Sequence, residues 1–270
     1  MVAYFKRECY LFSILGAIGG LLVAAALYPG MISHQPGYMR MFYIALITIA
    51  GLVFGRVYAI HWSGRHLARV DEVLYQSGKP QEFLDAFAPM VARIKPDTAE
   101  AMAGKIKMAF AREAQGDFRQ ALESLEDLDP EILKLHALPV AANLRNQQLR
   151  LALLLEDQEL ADTYLAQLQH LMETAQGRAP GIASQLQQCV YLAGCWMAVL
   201  NGVETDENYL AEEIRLSNNR IHKSEMQLLL ARAQENRGDE CFRETLLEAR
   251  ATGQGLWTGE KAQALIQQQF

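Results

Sequence analysis

The twenty residues from Cys9 to Tyr28 carry no charge, and a second apolar run from Met41 to Tyr58 is interrupted only by Arg56. A hydrocarbon core about 30 Å thick is crossed by roughly 20 helical residues. The two runs are joined by a dozen residues and predict a two-span transmembrane hairpin over residues 1–64. A cleaved signal peptide is the alternative for the first run, because Lys6 and Arg7 precede it and Ala24, Ala25 and Ala26 offer small residues. The run is longer than a signal core, and a second spanning run follows at once, so an anchor is expected. Tyr28-Pro29-Gly30 is expected to end the first helix, and His34 to Tyr38 to supply the turn.

Basic residues near the spans predict orientation. Lys6 and Arg7 precede the first, Arg65 and Arg69 follow the second, and the connecting loop holds only Arg40. Positive charge favours the cytoplasmic side, so a multi-pass cell-membrane protein with both termini in the cytoplasm is expected. Each span carries glycines four apart, Gly16 with Gly20 and Gly51 with Gly55. Such pairs let helix backbones approach closely in lipid, within one chain or between chains. Arg56 is expected to snorkel to the headgroups, with Tyr58 and Trp62 as interface anchors.

The remainder is different in character. The first 64 residues have four basic residues against one acidic, a net of +3, so the overall −6 places −9 on residues 65–270. An acidic domain is a poor match for phosphate backbones, and no nucleic-acid partner is expected. Four cysteines in 270 residues do not suggest a disulfide framework.

After residue 65 no strand alternation is visible. Apolar residues recur at three- and four-residue spacing instead, as in Leu122, Leu125 and Leu128, or Leu149, Ala152 and Leu153. Break signals fall at Gly78-Lys79-Pro80, Gly116-Asp117, Glu156-Asp157, Asn201-Gly202 and Gly238-Asp239, spaced 38, about 41, about 45 and 36 residues apart. Recurrence in that range predicts stacked helix pairs. The best-defined unit runs through Met108-Ala109, Gly116-Asp117-Phe118, Ala121, Leu125, Leu128 and Asp129-Pro130. It resembles a tetratricopeptide repeat, with the closing proline three residues early. Ala231 with Gly238-Asp239 repeats part of the pattern, although Arg243 stands where alanine is expected, and Ala161, Leu165 and Leu168 match a second-helix half. The fold class expected is therefore all-α: a transmembrane hairpin, then a tetratricopeptide-like antiparallel helix-pair solenoid over residues 65–270.

Ala179 to Val203 is uncharged over 25 residues. A third crossing would leave Ser184, Gln185, Gln187, Gln188 and Asn201 needing partners in lipid, so a central solenoid helix is expected. Cys189 and Cys195, six apart, lie about 240° apart around a helix and are expected to be buried apolar residues. Cys241, at a helix start, is a candidate for a lowered thiol pKa, without a neighbouring histidine. His34, His61, His66, His136, His170 and His222 lack zinc-ligand spacing. The run Glu123, Glu126, Asp127, Asp129 and Glu131 lacks the central glycine of a calcium loop and reads as a solvated face. No phosphate loop or nucleophile elbow occurs, and neither an enzyme nor a metal or other cofactor is expected.

What the resemblance implies is binding of a protein or peptide on a concave face. Helix phase nominates Lys105, Arg112, Asn143, Gln147, Arg150, Gln188 and Gln234, whose cations and amides suit a carboxylate or an extended backbone. The expected function is a membrane-anchored adaptor or assembly protein. The alternatives are a structural membrane subunit acting through its spans and, less favoured, a cysteine-based enzyme or redox sensor.

Overall fold

A computed structural model describes residues 2–128 and 138–269, and the side chains of residues 4–268 within them. Asp129, Pro130, Glu131 and His136, named above, lie outside the described residues. Twelve α-helices and no strand occur among the described residues. The chain divides into two compact units, Met1–Val70 and Asp71–Phe270, a boundary six residues beyond the expected one. The reason is α2 (Gly37–Tyr75), which continues without a break past the second apolar run.

In the first unit a 3-10 turn (Val2–Phe5) leads into α1 (Lys6–Leu27). Pro29 and Gly30 do end α1, but a π-helical turn (Tyr28–Ile32) continues the coil before the turn into α2. Both helices are long and apolar enough to cross a membrane. Their outer faces expose Leu22, Ile49, Phe54 and Val57. Polar side chains inside the spans bond to their own helix, Ser13 to the Cys9 carbonyl and Thr48 to the Ile44 carbonyl, each at 2.8 Å.

The glycine pairs sit where α1 and α2 touch. A methyl group on Gly16 would collide with the Gly51 carbonyl oxygen and lie 2.9 Å from the Gly55 Cα. One on Gly20 would come within 2.7 Å of the Ile47 carbonyl oxygen. Closer to residue 64, Trp62 stacks on His66 with centroids 5.5 Å apart and meets Phe5 and Phe12. Tyr58 packs edge-on to Phe12 at 5.3 Å, and Arg56 is exposed.

The second unit is built of α3 (Pro80–Val91), α4 (Ala99–Gln115), α5 (Phe118–Glu126), α6 (Leu138–Leu154), α7 (Gln158–Gln176), α8 (Pro180–Leu200), α9 (Glu207–Leu216), α10 (Arg220–Arg237), α11 (Phe242–Thr252) and α12 (Trp257–Gln269). One local device recurs. Gly78, Gly116, Glu156, Gly202 and Gly238, which close α2, α4, α6, α8 and α10, all have positive φ. At Gly116 the following amide, Asp117 N–H, reaches back 3.0 Å to the Arg112 carbonyl, and Asp157, Val203 and Asp239 repeat that bond. This left-handed closure satisfies the last carbonyls of a helix and reverses the chain. The break signals and these turns coincide.

Three of these turns feed a helix that packs on the one it closes: α4 with α5, α6 with α7 and α10 with α11. Alternate helices also touch: α4 meets α6, α6 meets α8, α8 meets α10 and α10 meets α12. Ala109 and Ala121, small and fully buried, share one core with Leu125, Leu144, Leu151 and Leu168. Helix α8 contributes Leu186 and Ala193 to this core and Cys195 and Val199 to the next, while Gln185 and Gln188 face outward from it.

Closure is the unexpected feature. Helix α12 returns to touch α4. Phe118 meets Trp257 edge-on at 5.1 Å, and Arg220 donates to the carbonyls of Ser77, Thr252 and Gln254 at 2.6–2.7 Å. The alternate helices α4, α6, α8, α10 and α12 thus form an inner ring.

Candidate functional site

The inner ring carries three charges that the sequence separates widely. Glu113 on α4 lies in a stripe otherwise apolar, whereas Arg150 on α6 and Glu225 on α10 have buried polar neighbours on their helices, Gln147 and Gln148, and Ser224 and Gln227. Arg150 Nη2 donates to Glu113 Oε1 at 2.7 Å and to Glu225 Oε2 at 2.6 Å. The carboxylates are 0% and 1% exposed, and Arg150 is 20% exposed. Gln147, one turn before Arg150, donates to Glu113 Oε2. The Arg150 guanidinium also lies 5.4 Å above the Phe110 ring.

Burying two carboxylates with one cation has an electrostatic consequence. Desolvation, and then the Glu113 carboxylate, push Glu225 up to about 8 despite Arg150. At neutral pH Glu225 is mainly protonated. Burial works against the Arg150 charge, but Glu113 and Glu225 outweigh it and hold its pKa above the ordinary arginine value. Glu225 Oε1 is shielded from solvent and receives no hydrogen bond.

Arg150 and Glu225 form part of the wall of a cavity of about 210 Å³ between α6, α8, α9 and α10. Trp196, Tyr209, Leu149 and Met226 supply apolar wall, and Asn146, Gln185 and Gln188 supply amides. Glu213, 33% exposed, is joined at 3.2 Å to His222. Burial, and then Arg150, lower the His222 pKa, so its imidazole is neutral at physiological pH. Burial, and then Glu213, raise the Tyr209 phenol. A second cavity of about 560 Å³ lies between α6, α8, α10 and α12, with Phe118, Leu265 and Trp257 in its wall and Arg232 and Lys261 beside them. Leu153 and Trp196 line both cavities.

Of the nominated residues, Arg150 and Gln188 meet at the smaller cavity, and Gln147 is engaged inside the chain with Glu113. Gln234 accepts from Thr245 at 2.8 Å, Lys105 and Arg112 are half-buried on α4, and Asn143 is exposed on α6. None of these four lines either cavity. Sequence reasoning missed Glu113, Glu213, His222 and Glu225. The available signal was a carboxylate phased onto an apolar stripe, as Glu113 is with Ile106 and Ala109.

The cysteines behave as small packing residues, with one difference. Burial raises the Cys189 thiol pKa. At Cys241 the expected lowering is reversed: Asp239 accepts from the Cys241 amide at 3.0 Å, and its carboxylate raises the thiol pKa. No group of three or more metal-ligating side chains occurs among the described residues.

No family model, curated protein or solved structure matches this chain.

Proposed function

We propose that this chain is a membrane-anchored adaptor whose helical array, tetratricopeptide-like in kind, receives a protein or peptide in the interior of its inner ring. The observation that carries the reading is the pair of adjoining cavities, each with apolar and polar wall, which share Leu153 and Trp196. Together they offer an apolar anchor point beside fixed polar groups, the combination that peptide recognition uses. The exposed apolar faces of α1 and α2 and the tight glycine contact between them support a lipid-embedded hairpin. The basic flanks Lys6, Arg7, Arg65 and Arg69 favour cytoplasmic termini.

The test is site-specific photo-crosslinking in native membranes. A photoreactive residue at Gln188 or Lys261, beside the cavities, is expected to capture a discrete partner, whereas one at Glu159 on α7 is not. Equal labelling from all three positions, or release of the chain by carbonate washing, overturns the proposal.

A further inference from the structure

Arg150, at the edge of the smaller cavity, invites the assumption that an anion binds there, since a guanidinium suits a carboxylate. The contacts argue otherwise. One guanidinium serves both Glu113 and Glu225, each within 2.7 Å, so its charge is already spoken for. Glu213 adds a third carboxyl group, and His222, its partner at 3.2 Å, is held neutral by burial and by Arg150. Three carboxyl groups thus share one permanent cation, and burial keeps a proton on Glu225 until a further cation arrives. The wall beside them is aromatic, from Trp196 and Tyr209. Glu225 Oε1 is buried without a hydrogen-bond partner, an arrangement that costs free energy unless something supplies one.

We propose that this cavity binds a primary ammonium group on a short apolar stem, with Glu225 and Glu213 as its counter-charges and Trp196 and Tyr209 packed along the stem. Volume supports the class. Ligand pockets for drug-sized molecules run from about 300 Å³ upward. A cavity of about 210 Å³ suits a lysine-sized group and is small for a nucleotide. The ammonium could belong to a lysine side chain of a bound partner, the source favoured by the adaptor reading on which this inference rests, or to a free amine.

Binding has a proton signature. The groups facing Glu225 are Glu113 from α4, Arg150 from α6, Cys189 from α8, Tyr209 and Glu213 from α9, and His222 from its own helix. The arriving cation favours ionised Glu225, so a proton leaves as the ammonium enters, and affinity rises with pH while the amine stays charged.

The experiment is calorimetric titration of the full chain in nanodiscs with n-butylammonium and, as its neutral counterpart, 1-butanol. n-Butylammonium is expected to bind at least about tenfold more tightly, and to gain a further several-fold between about pH 6.5 and about pH 8.5. Glu225→Gln is expected to abolish the pH gain, and Glu213→Gln, at the half-exposed rim, to weaken binding about tenfold while leaving helicity unchanged. A peptide with a lysine between leucines that displaces n-butylammonium, where its norleucine counterpart does not, identifies a partner side chain. Displacement by neither peptide identifies a free amine and leaves the ammonium site standing. Equal affinity for butanol and butylammonium, or full affinity in Glu213→Gln, overturns the proposal whatever the crosslinking experiment shows.

Discussion

At the scale of the residue, two positions depart from what their surroundings favour. Glu156 has φ 56°, in a turn whose counterparts in the other helix pairs are Gly116, Gly202 and Gly238. A side chain in that region costs roughly 1 kcal/mol relative to glycine. The ion pair between Glu156 and Arg232, both well exposed, offsets little of this. Glu156→Gly is therefore expected to raise the stability of the array by about 0.5–1 kcal/mol, read from the urea midpoint of the full chain in detergent. The second position is Glu225. Its folded pKa, about 8, lies above the ordinary value of 4.5, so the folded state binds this proton more tightly than the unfolded state does. The associated stability is complete below the unfolded value and is lost as pH rises through about 8. Thermal unfolding followed by circular dichroism should show stability declining across that window, and Glu225→Gln should flatten the decline. An unchanged slope in the variant would assign the titration to another group.

At the scale of the element, two helix contacts depend on single residues. The approach of α1 to α2 leaves no room for a side chain at Gly16 or Gly51. Gly51→Leu is expected to separate the helices, and a disulfide engineered across the wild-type crossing should fail to form in the variant. Among the described residues of the array, Arg150 is the one cation that Glu113 and Glu225 share. Arg150→Met leaves the buried Glu113 carboxylate without its cation, with an expected cost of about 3–5 kcal/mol at neutral pH. The double variant Glu113→Gln with Glu225→Gln in the Arg150→Met background should recover part of that loss, because amides can hydrogen-bond without charge. The helices themselves were largely legible: glycine–aspartate pairs punctuate the chain because glycine tolerates the left-handed closure and aspartate suits the start of the following helix. The length of α2 was not legible from apolarity, since its polar C-terminal half, including Arg65, His66 and Arg69, continues the helix without a breaker.

At the scale of the whole molecule, one side chain adds to the contacts that close the second unit. Arg220 hydrogen-bonds to carbonyls at Ser77, Thr252 and Gln254, joining the turn before α3 to the turn before α12. Arg220→Ala is expected to cost about 1–3 kcal/mol and to raise hydrogen exchange selectively in α12 and α3. Uniform exchange across the array would show that closure does not depend on it. The amino-acid sequence alone determined the apolar hairpin, the all-helical character and the positions where helices end, because span length, apolar periodicity and backbone preference are properties of neighbouring residues. Only the tertiary structure decided that the array closes and that Glu113, Arg150 and Glu225 meet inside it. Ring closure accumulates from small packing rotations at every helix pair, and whether a charged residue faces solvent or a counter-charge 75 positions away depends on that sum.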